Sequence, residues 1–342
     1  MKISVVIPFY NCGPYAYECL KSLSLALRDL PARQIDYEVL VVDDHGNPAD
    51  VQTLCLAMER LGDERIRLIR PAANLGLSGA RNFGIVASTG DYIWCVDADD
   101  FVEPQAVAAL MVTLRDQRPD VALLDAIWNG PEGIFRMNAF AFEPCTLFEL
   151  DARALASYLR TASFYAWRCI ARRSLYDQLE YPDRMAMEDV ATTPVLLARA
   201  QTVWYEARPL IHYRQNSGSV MKNWTAQKSL DFIRASTLLR QRLAALPAAG
   251  TREVQDALEM VAYNCLFWAI KDAIEHRIPD PAGTYRQVLE AFGQNAGAFR
   301  PCRVWRHFRH SHPRRLVGLL AICVGYRCTA LLFRARQRLQ RA

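Results

Sequence analysis

Short runs of apolar, β-branched residues recur through the first 127 residues, at intervals of roughly 25–35 residues. The runs that predict buried strands are residues 3–9, 37–43, 66–70, 91–97 and 120–127. Segments with helical spacing lie between them, at residues 14–29, 48–61, 77–89 and 103–116. This alternation predicts a mostly parallel sheet that helices cover on both faces. Sheets of this kind bind their ligands at the carboxyl ends of the strands.

The regular alternation ends near residue 130. The strands predicted beyond it are residues 135–142 and 202–213. The predicted helices are residues 151–160, 188–200, 224–246 and 251–277. A nucleotide-binding type of sheet is therefore followed by a mixed region and then by a helical one.

Acidic side chains end two of the predicted strands, as Asp43-Asp44 and as Asp97-Ala98-Asp99-Asp100. Residues two apart in an extended chain point to the same face, so Asp97 and Asp99 face one ligand while Asp100 faces away. Grouped carboxylates repel one another, and a divalent cation that also binds phosphate removes this repulsion. The acids therefore predict Mg²⁺ or Mn²⁺ with a diphosphate. The alternative is an acidic loop that caps the helix beginning near Pro104.

A glycine-rich segment lies at the entrance of the helix predicted at 77–89, and it contains Asn74, Gly76, Gly79 and Arg81. Backbone N–H groups at a helix entrance and a guanidinium group can together hold a phosphate. The alternative is an ordinary helix start in which Arg81 forms a surface salt bridge.

Four blocks of the first 104 residues resemble the family 2 glycosyltransferases of GT-A fold in residue type, order and spacing. The blocks are Pro8-Phe9-Tyr10-Asn11, Asp43-Asp44, Asn74 to Gly84 with Arg81-Asn82, and Asp91 to Asp100. Later blocks resemble the acceptor half of members that build bacterial cell-surface polysaccharides, and they are Trp167-Arg168, Glu188-Asp189 and His212-Tyr213-Arg214. One departure is His45-Gly46-Asn47, where the family usually has Gly-Ser.

The resemblance implies an α/β chain whose GT-A, Rossmann-like mixed sheet is flanked by helices and binds a nucleotide sugar. The helical spacing beyond residue 223 adds a C-terminal helical region to this fold. It implies a glycosyltransferase domain over residues 1–222, with a nucleotide-sugar half at 1–125 and an acceptor half at 126–222. A helical extension over 223–299 and a basic amphipathic tail over 300–342 complete this division.

The resemblance also implies which residues bind the donor: Pro8, Tyr10, Asn11, Asp43, Asp44, Asn74, Arg81 and Asp97. In this scheme Pro8 and Tyr10 border the nucleobase, and Asp43 or Asp44 bonds the uracil or ribose. Arg81 lies near the diphosphate. Asp99 ligates Mn²⁺ or Mg²⁺, and Asp97 either helps to hold the metal or binds the ribose.

On the acceptor side, the resemblance implies that Asp189, beside Glu188, is the general base that deprotonates the acceptor hydroxyl. Acids at this position also favour the dipole of the helix that they begin, which is sufficient reason for their presence. The acceptor-binding residues implied are Trp167, His212 and Arg214. Trp167 as a core residue and His212 as a structural residue are the alternatives.

The implied activity is that of an inverting, metal-dependent hexosyltransferase with a UDP-sugar as the expected donor. Its acceptor is a hydroxyl of a growing surface polysaccharide, which a lipid can carry. A single base opposite the departing diphosphate favours displacement in line, which inverts the anomeric carbon. The alternatives are a non-catalytic sugar-nucleotide-binding or membrane scaffold subunit and a sugar nucleotidyltransferase. The latter needs a Gly-rich, basic loop after the first strand, where Pro8-Phe9-Tyr10-Asn11 stands.

The net charge of +5 is divided unequally along the chain. No acid follows Glu290, whereas eleven arginines do, so the last 52 residues carry +11 and residues 1–290 carry −6. The partner of the C-terminal region should therefore be anionic. Nucleic acid is not expected, because a nucleic-acid-binding signature is lacking and the acidic remainder would repel a phosphate backbone.

Residues 316–333 form an 18-residue apolar run that contains Arg327 and is flanked by further arginines. A spanning helix needs about 20 apolar residues, and a central arginine costs about 2.5–3.5 kcal/mol. The pattern therefore predicts an interfacial helix that binds an anionic membrane surface through residues 300–342. A helix packed on the catalytic domain and a spanning helix are the alternatives.

Ten cysteines are scattered singly, without a C-x-x-C pair, which favours reduced thiols in the cytosol over a disulfide framework. The first apolar run is broken by Ser4 and stopped by Pro8, so it does not predict a secretory signal. We therefore expect a cytoplasmic protein on the inner face of the membrane.

Overall fold

The computed structural model describes residues 1–31, 34–137, 140–215, 224–276, 278–296, 301–308 and 313–341. The chain divides into two compact units of three segments each. The first comprises Met1–Asp151, Ser163–Arg184 and Thr192–Asn216, and the second comprises Ala152–Ala162, Met185–Ala191 and Ser217–Ala342. Two short segments from within residues 1–222 thus group with the C-terminal helices. The domain boundaries at 222 and 299 stay a prediction.

Ten strands of the described chain form one mixed sheet in the first unit. They are β1 (Lys2–Phe9), β2 (Asp36–Asp43), β3 (Ile66–Ile69), β4 (Tyr92–Cys95), β5 (Phe101–Val102), β6 (Val121–Gly130), β7 (Gly133–Met137), β8 (Thr146–Glu149), β9 (Cys169–Arg172) and β10 (Thr202–Arg214). Their order is β3-β2-β1-β4-β9-β6-β10-β5, with β7 beside β6 and β8 beside β10. The strands from β3 to β4 in this order are parallel, whereas β9 runs antiparallel to both β4 and β6. The predicted mixed sheet flanked by helices is confirmed.

Four helices connect the first strands: α1 (Gly13–Leu27), α2 (Pro48–Leu61), α3 (Gly76–Ala87) and α4 (Pro104–Gln117). Helix α2 shows why such a helix begins and ends where it does. The Asn47 side chain accepts the Asp50 N–H at 3.0 Å, and Pro48 occupies the first turn, where its missing N–H is no loss. Gly62, with φ of 60°, provides the left-handed residue that ends the helix.

The core of the first unit lies between the sheet and helices α1 and α4. Val5, Val39, Leu23, Leu110 and Trp94 belong to one cluster, and each is fully buried. Burying a side chain of this size contributes about 1.5–3 kcal/mol. The packing of this core therefore fixes the central strands, whose carboxyl ends lie at the edge of the sheet.

The second unit is helical. Its helices are α5 (Ala152–Thr161), the first turn of α6 (Glu188–Arg199), α7 (Ala226–Ala244), α8 (Arg252–Glu275), α9 (Pro281–Ala296), α10 (Pro301–Phe308), α11 (Pro313–Val324) and α12 (Tyr326–Arg341). Helix α8 is apolar around most of its circumference, as a helix surrounded by others must be. Because α5 and α7 pack on α8, the short segment that contains α5 joins the C-terminal helices.

The apolar run 316–333 is two helices, because Gly325, with φ of 128°, separates α11 from α12. Leu319, Ile322 and Phe333 are buried, and Phe333 lies edge-on to Phe267 of α8 with ring centroids 5.6 Å apart. The apolar side of the run thus forms part of the core of the second unit. A single helix over the run is therefore wrong, and binding of residues 300–342 to an anionic membrane surface stays a prediction. Across the residues that the structure describes, no helix combines the length and apolar character needed to cross a membrane.

Candidate active site

Three strand ends meet at one edge of the sheet. β1 pairs in parallel with β2 and with β4, so that Phe9 is opposite Asp43 and Val6 is opposite Cys95. The segments that follow these strands, residues 8–11, 43–44 and 97–100, therefore lie side by side. Most of the predicted donor-binding residues belong to them.

Asp44 holds the glycine-rich segment. Its two carboxylate oxygens accept the N–H groups of Leu75, at 2.6 Å, and Gly76, at 2.8 Å, and its carbonyl accepts the Asn74 amide at 2.6 Å. Burial raises the pKa of Asp44, although these hydrogen bonds oppose the shift. Asp44 and Asn74 therefore set the start of α3.

Asp43 is also buried, and Gly46 donates its N–H to Asp43 Oδ1 at 2.9 Å. Arg70 Nε lies 3.4 Å from the other oxygen, Oδ2. Arg70 was missed by the sequence analysis. It directly follows β3, and its position at a strand end was the signal that could have identified it.

The loop after β1 is tied to the loop after β2. Asn11 adopts φ of 54°, and its side-chain oxygen accepts both the backbone N–H and the side-chain amide of Asn47, at 2.8 and 2.9 Å. His45, the departure from the family pattern, has φ of 63°, and its Nε2 lies 3.0 Å from the Pro71 carbonyl. Tyr10, beside buried Pro8, is 54% exposed and offers a ring at this edge.

Arg81 lies on α3 and reaches the acids that follow β4. Its Nη2 donates to Asp97 Oδ1 at 2.7 Å, and its guanidinium lies 5.4 Å from the Tyr181 ring centroid. The Arg81 side chain is 3% exposed, whereas that of Asp97 is 27% exposed. Arg81 therefore orients the Asp97 carboxylate and adds positive charge behind it.

The acid loop, residues 97–100, alternates in exposure. Asp97 and Asp99 are partly exposed, and Ala98 and Asp100 are buried. Asp100 Oδ1 accepts the Arg214 N–H at 2.8 Å, which fastens the loop to the end of β10. Burial, followed by the charges of Asp97 and Asp99, raises the pKa of Asp100 well above its usual value. Asp97 and Asp99 are thus the two acids of this loop that solvent reaches.

Within the described residues, no group of three or more His, Cys, Asp or Glu side chains is arranged to hold a metal ion. Mg²⁺ bound with a nucleotide usually takes only one or two carboxylates from the protein and completes its shell with phosphate oxygens and water. Asp97 and Asp99 are two partly exposed oxygen donors beside each other, so these residues fit Mg²⁺ or Mn²⁺ held together with a diphosphate.

His212 and Arg214 are both engaged with other side chains. Arg214 pairs with Glu18 at 2.6 Å, and its guanidinium lies about 5 Å from the ring centroids of Tyr15 and Phe101. His212 stacks on Phe101 at 4.2 Å, and its Nε2 lies 2.6 Å from Glu103 Oε1. Through these contacts His212 and Arg214 hold the segment after the acid loop in place. This favours a structural role for His212 over acceptor binding.

Trp167 is 1% exposed and belongs to the core cluster. Its ring stacks on Tyr165 with centroids 4.9 Å apart and lies 5.4 Å from Tyr213, and its carbonyl accepts the Trp94 indole N–H at 2.9 Å. The structure favours the core alternative here, because a buried ring cannot offer a face to a sugar.

Glu188 and Asp189 form the first turn of α6, in a segment of the second unit. Asp189 Oδ1 accepts the N–H of the adjacent Val190 at 2.8 Å. An acid in the first turn of a helix also interacts favourably with the helix dipole. Burial, and then the nearby charge of Asp189, raises the pKa of Cys265 on α8 to about 12. The role of Asp189 as general base stays a prediction.

The chain is similar to known glycosyltransferases. The model of a family described as glycosyl transferase family 2 matches residues 4–178. Glycosyltransferase GlyA of Streptococcus pneumoniae is 27% identical over 234 residues, which are 66% of this chain and only 32% of GlyA, so the chain spans about a third of that relative.

Two solved structures share the fold. TarS 1–349 of Staphylococcus aureus, in complex with UDP-GlcNAc, aligns with a TM-score of 0.67 at 18% identity over 93% of this chain and 90% of that one. The mannosyltransferase PcManGT of Pyrobaculum calidifontis, in complex with GDP-Man and Mn²⁺, aligns with a TM-score of 0.53 at 17% identity over 94% and 86%.

Proposed function

The chain belongs to glycosyl transferase family 2, and we propose that it moves a sugar from a UDP-sugar to a hydroxyl group of a growing surface polysaccharide, with inversion at the anomeric carbon. The observation that carries this proposal is the meeting of Asp97, Asp99 and Arg81 with Asp43 and Tyr10 at one edge of the sheet. The UDP-GlcNAc held by TarS supports a uridine donor, and the Mn²⁺ held by PcManGT supports a metal.

The donor binds along the strand ends. Tyr10 offers its exposed ring to the nucleobase, and Asp43 accepts a hydrogen bond from the base or the ribose. Asp97 and Asp99 hold Mn²⁺ or Mg²⁺, which when bound supplies positive charge against the oxygens of the leaving diphosphate. Arg81 keeps the Asp97 carboxylate in one orientation through their 2.7 Å hydrogen bond.

The acceptor hydroxyl loses its proton to Asp189 as its oxygen attacks the sugar. A positioned base of this kind typically contributes about 10²–10⁴ in rate. Attack from the side opposite the diphosphate needs no covalent intermediate, and it inverts the anomeric carbon. Glu188, which is buried beside Asp189, supports the first turn of α6.

Release of UDP from a panel of UDP-sugars tests the donor half of the proposal. With Mn²⁺ present, the wild-type chain should release UDP slowly from one member of the panel, and Asp99→Asn should lower that rate about a hundredfold or more. Asp116→Asn, which removes an exposed acid on α4, should leave the rate unchanged. Donor binding without UDP release from any member would favour a non-catalytic subunit instead.

The general base needs a separate experiment. Asp189→Asn should abolish sugar transfer while the dissociation constant of UDP with Mn²⁺, measured by calorimetry, stays within twofold of wild type. If Asp189→Asn weakened UDP binding by much more than twofold, Asp189 would belong to the donor site. That result would contradict its assignment as the general base.

The second unit meets an anionic membrane surface on the cytoplasmic side, where a lipid-linked acceptor is within reach. With the apolar side of the run 316–333 buried, the contacting surface is the outer face of α11 and α12. On α11, Val317 and Val324 are more than half exposed and lie seven residues apart on one face. On α12, the exposed Leu331 lies between the exposed Arg327 and Arg334. Apolar and cationic side chains together suit an anionic interface.

Flotation with vesicles tests this surface. The wild-type chain should float with vesicles that contain phosphatidylglycerol and not with pure phosphatidylcholine. The double variant Val324→Asp and Leu331→Asp should stay in the soluble fraction, whereas Leu56→Asp, which also replaces a residue more than half exposed, on α2, should float normally. Normal flotation of the double variant would rule the surface out.

A further inference from the structure

Three aromatic residues lie at paired positions on three adjacent strands. Trp128 of β6 pairs with Tyr213 of β10 on one side and with Phe135 of β7 on the other. Side chains at paired positions point to the same face of a sheet, so the three rings form a single row. The rings of Trp128 and Tyr213 meet edge to face, with centroids 5.6 Å apart. Tyr213, Trp128 and Phe135 are called the aromatic row below.

The inner end of the aromatic row lies beside the acid loop. Arg214, the neighbour of Tyr213, donates its backbone N–H to Asp100 at 2.8 Å. Burial, followed by the neighbouring Tyr165, raises the pKa of Tyr213, and the charges of Asp97 and Asp100 add to the shift. The row therefore begins where the proposed donor site ends.

The outer end of the aromatic row is open to solvent, since Phe135 is 48% exposed. Two glycines that pair across the hairpin, Gly130 and Gly133, leave room for the rings. A Cβ atom at Gly130 would lie 2.8 Å from Trp128 Nε1, and one at Gly133 would lie 3.2 Å from the Phe135 ring. Both side chains therefore lean over the glycines, towards the tip of the hairpin.

The polar character of the aromatic row also points to a ligand. The Trp128 indole N–H is buried and has no hydrogen-bond partner among the described residues. An indole N–H usually finds a partner when it is buried, so this unpaired donor is unusual. A sugar hydroxyl could accept its hydrogen bond only if the Trp128 ring turned to bring the N–H to the surface, so the exposed Phe135 ring carries the proposal.

We propose that the aromatic row binds the saccharide acceptor, with Phe135 as its outer ring, and this inference rests on the transferase function proposed above. The faces of aromatic rings carry partial negative charge and attract the C–H groups on the faces of sugar rings. The row leads from the acids to solvent, which is the path that an elongated acceptor with its reactive end at the donor must take. It supplies the exposed ring that the buried Trp167 does not.

Two variants on the same strand test the proposal. Phe135→Ala removes the outer ring, and Ile134→Ala is the matched control, because Ile134 is 69% exposed and points to the opposite face. Binding of chitotetraose, cellotetraose and maltotetraose is measured by saturation-transfer NMR titration. At least one tetrasaccharide should bind the wild-type chain, about tenfold more weakly to Phe135→Ala and equally to Ile134→Ala. Phe135→Tyr, which keeps the ring, should bind like wild type.

The inference is overturned if none of the three tetrasaccharides binds the wild-type chain, or if Phe135→Ala and Ile134→Ala bind alike. UDP release from the UDP-sugar panel, measured on the same preparations without acceptor, distinguishes this failure from failure of the proposed function. If UDP release is unchanged and Phe135→Ala has no effect on tetrasaccharide binding, only the proposal of an acceptor site on the aromatic row fails. Tetrasaccharide binding without any UDP release removes the transferase proposal and leaves a saccharide-binding surface.

Discussion

Gly84 allows helix α3, which carries Arg81, to lie directly on the sheet. A Cβ atom at this position would lie 2.4 Å from Val6 Cγ1 and 3.0 Å from Val42 Cγ2. Carbon atoms in favourable contact are about 3.5–4.0 Å apart, so the methyl group of Gly84→Ala overlaps both side chains. Val6 and Val42 are fully buried and β-branched, which leaves them little freedom to rotate away.

The expected net effect of Gly84→Ala is a loss of about 1–2 kcal/mol in the free energy of unfolding. Overpacking a core costs about 1–3 kcal/mol, and a contact as short as 2.4 Å belongs in the upper part of that range. Replacing a helical glycine with alanine returns about 1 kcal/mol. Gly293→Ala in α9 is the control, because a Cβ atom there meets nothing within 4 Å. It should stabilise the second unit by about 0.5–1 kcal/mol.

Urea unfolding followed by circular dichroism measures these changes, and a double-mutant cycle with Val6→Ala identifies their cause. If the clash with Val6 is responsible, Gly84→Ala should cost at least about 1 kcal/mol less in the Val6→Ala background. The affinity for UDP with Mn²⁺ should fall in Gly84→Ala, because α3 and Arg81 move away from Asp97. Wild-type stability of Gly84→Ala, or an equal cost in both backgrounds, would refute the reasoning.

Three further predictions concern stability. Burial alone would raise the pKa of Glu38, but hydrogen bonds from Ser4 and Thr89 outweigh it and lower the pKa to about 2. The contribution of Glu38 to the free energy of unfolding is therefore complete above pH 4.5 and is lost as the pH falls towards 2. Glu38→Gln should make the free energy of unfolding less dependent on pH in that window. Urea unfolding at each pH measures this change. Trp167→Ala should lower the free energy of unfolding by about 3–5 kcal/mol, and a change in acceptor affinity at wild-type stability would contradict its assignment to the core. Asn47→Ala removes the side-chain cap of α2 and should lower the free energy of unfolding by about 1 kcal/mol, as measured by thermal unfolding. An unchanged free energy of unfolding would show that the cap is dispensable.

The central strands could be predicted because a strand buried on both faces needs an uninterrupted run of apolar residues, as in β1 and β2. Strand β9 could not be predicted, since its four residues, Cys169–Arg172, carry no distinctive pattern. It exists because it pairs with both β4 and β6, which are far away along the chain. Gly325 likewise gave no clear signal inside an apolar run, although it divides the predicted helix in two.

The donor side of the candidate site could be predicted in outline, because parallel strands must bring Asp43 and Asp97 to one edge. The partners of individual side chains could not. Arg214 pairs with Glu18, 196 residues away, a contact that no local sequence pattern predicts. Arg70 acquires its place beside Asp43 only when β3 pairs with β2.

Periodicity and strand-end chemistry in the amino-acid sequence determined the class of sheet, the edge where the acids gather and the excess of positive charge near the C-terminus. These properties depend on neighbours close along the chain, where geometry follows from backbone repeat. Tertiary structure decided which aromatic rings are buried, which acids hold backbone N–H groups and which side of the run 316–333 faces solvent. Such choices depend on packing between residues that are distant in sequence, and a linear pattern of residue types does not contain that information.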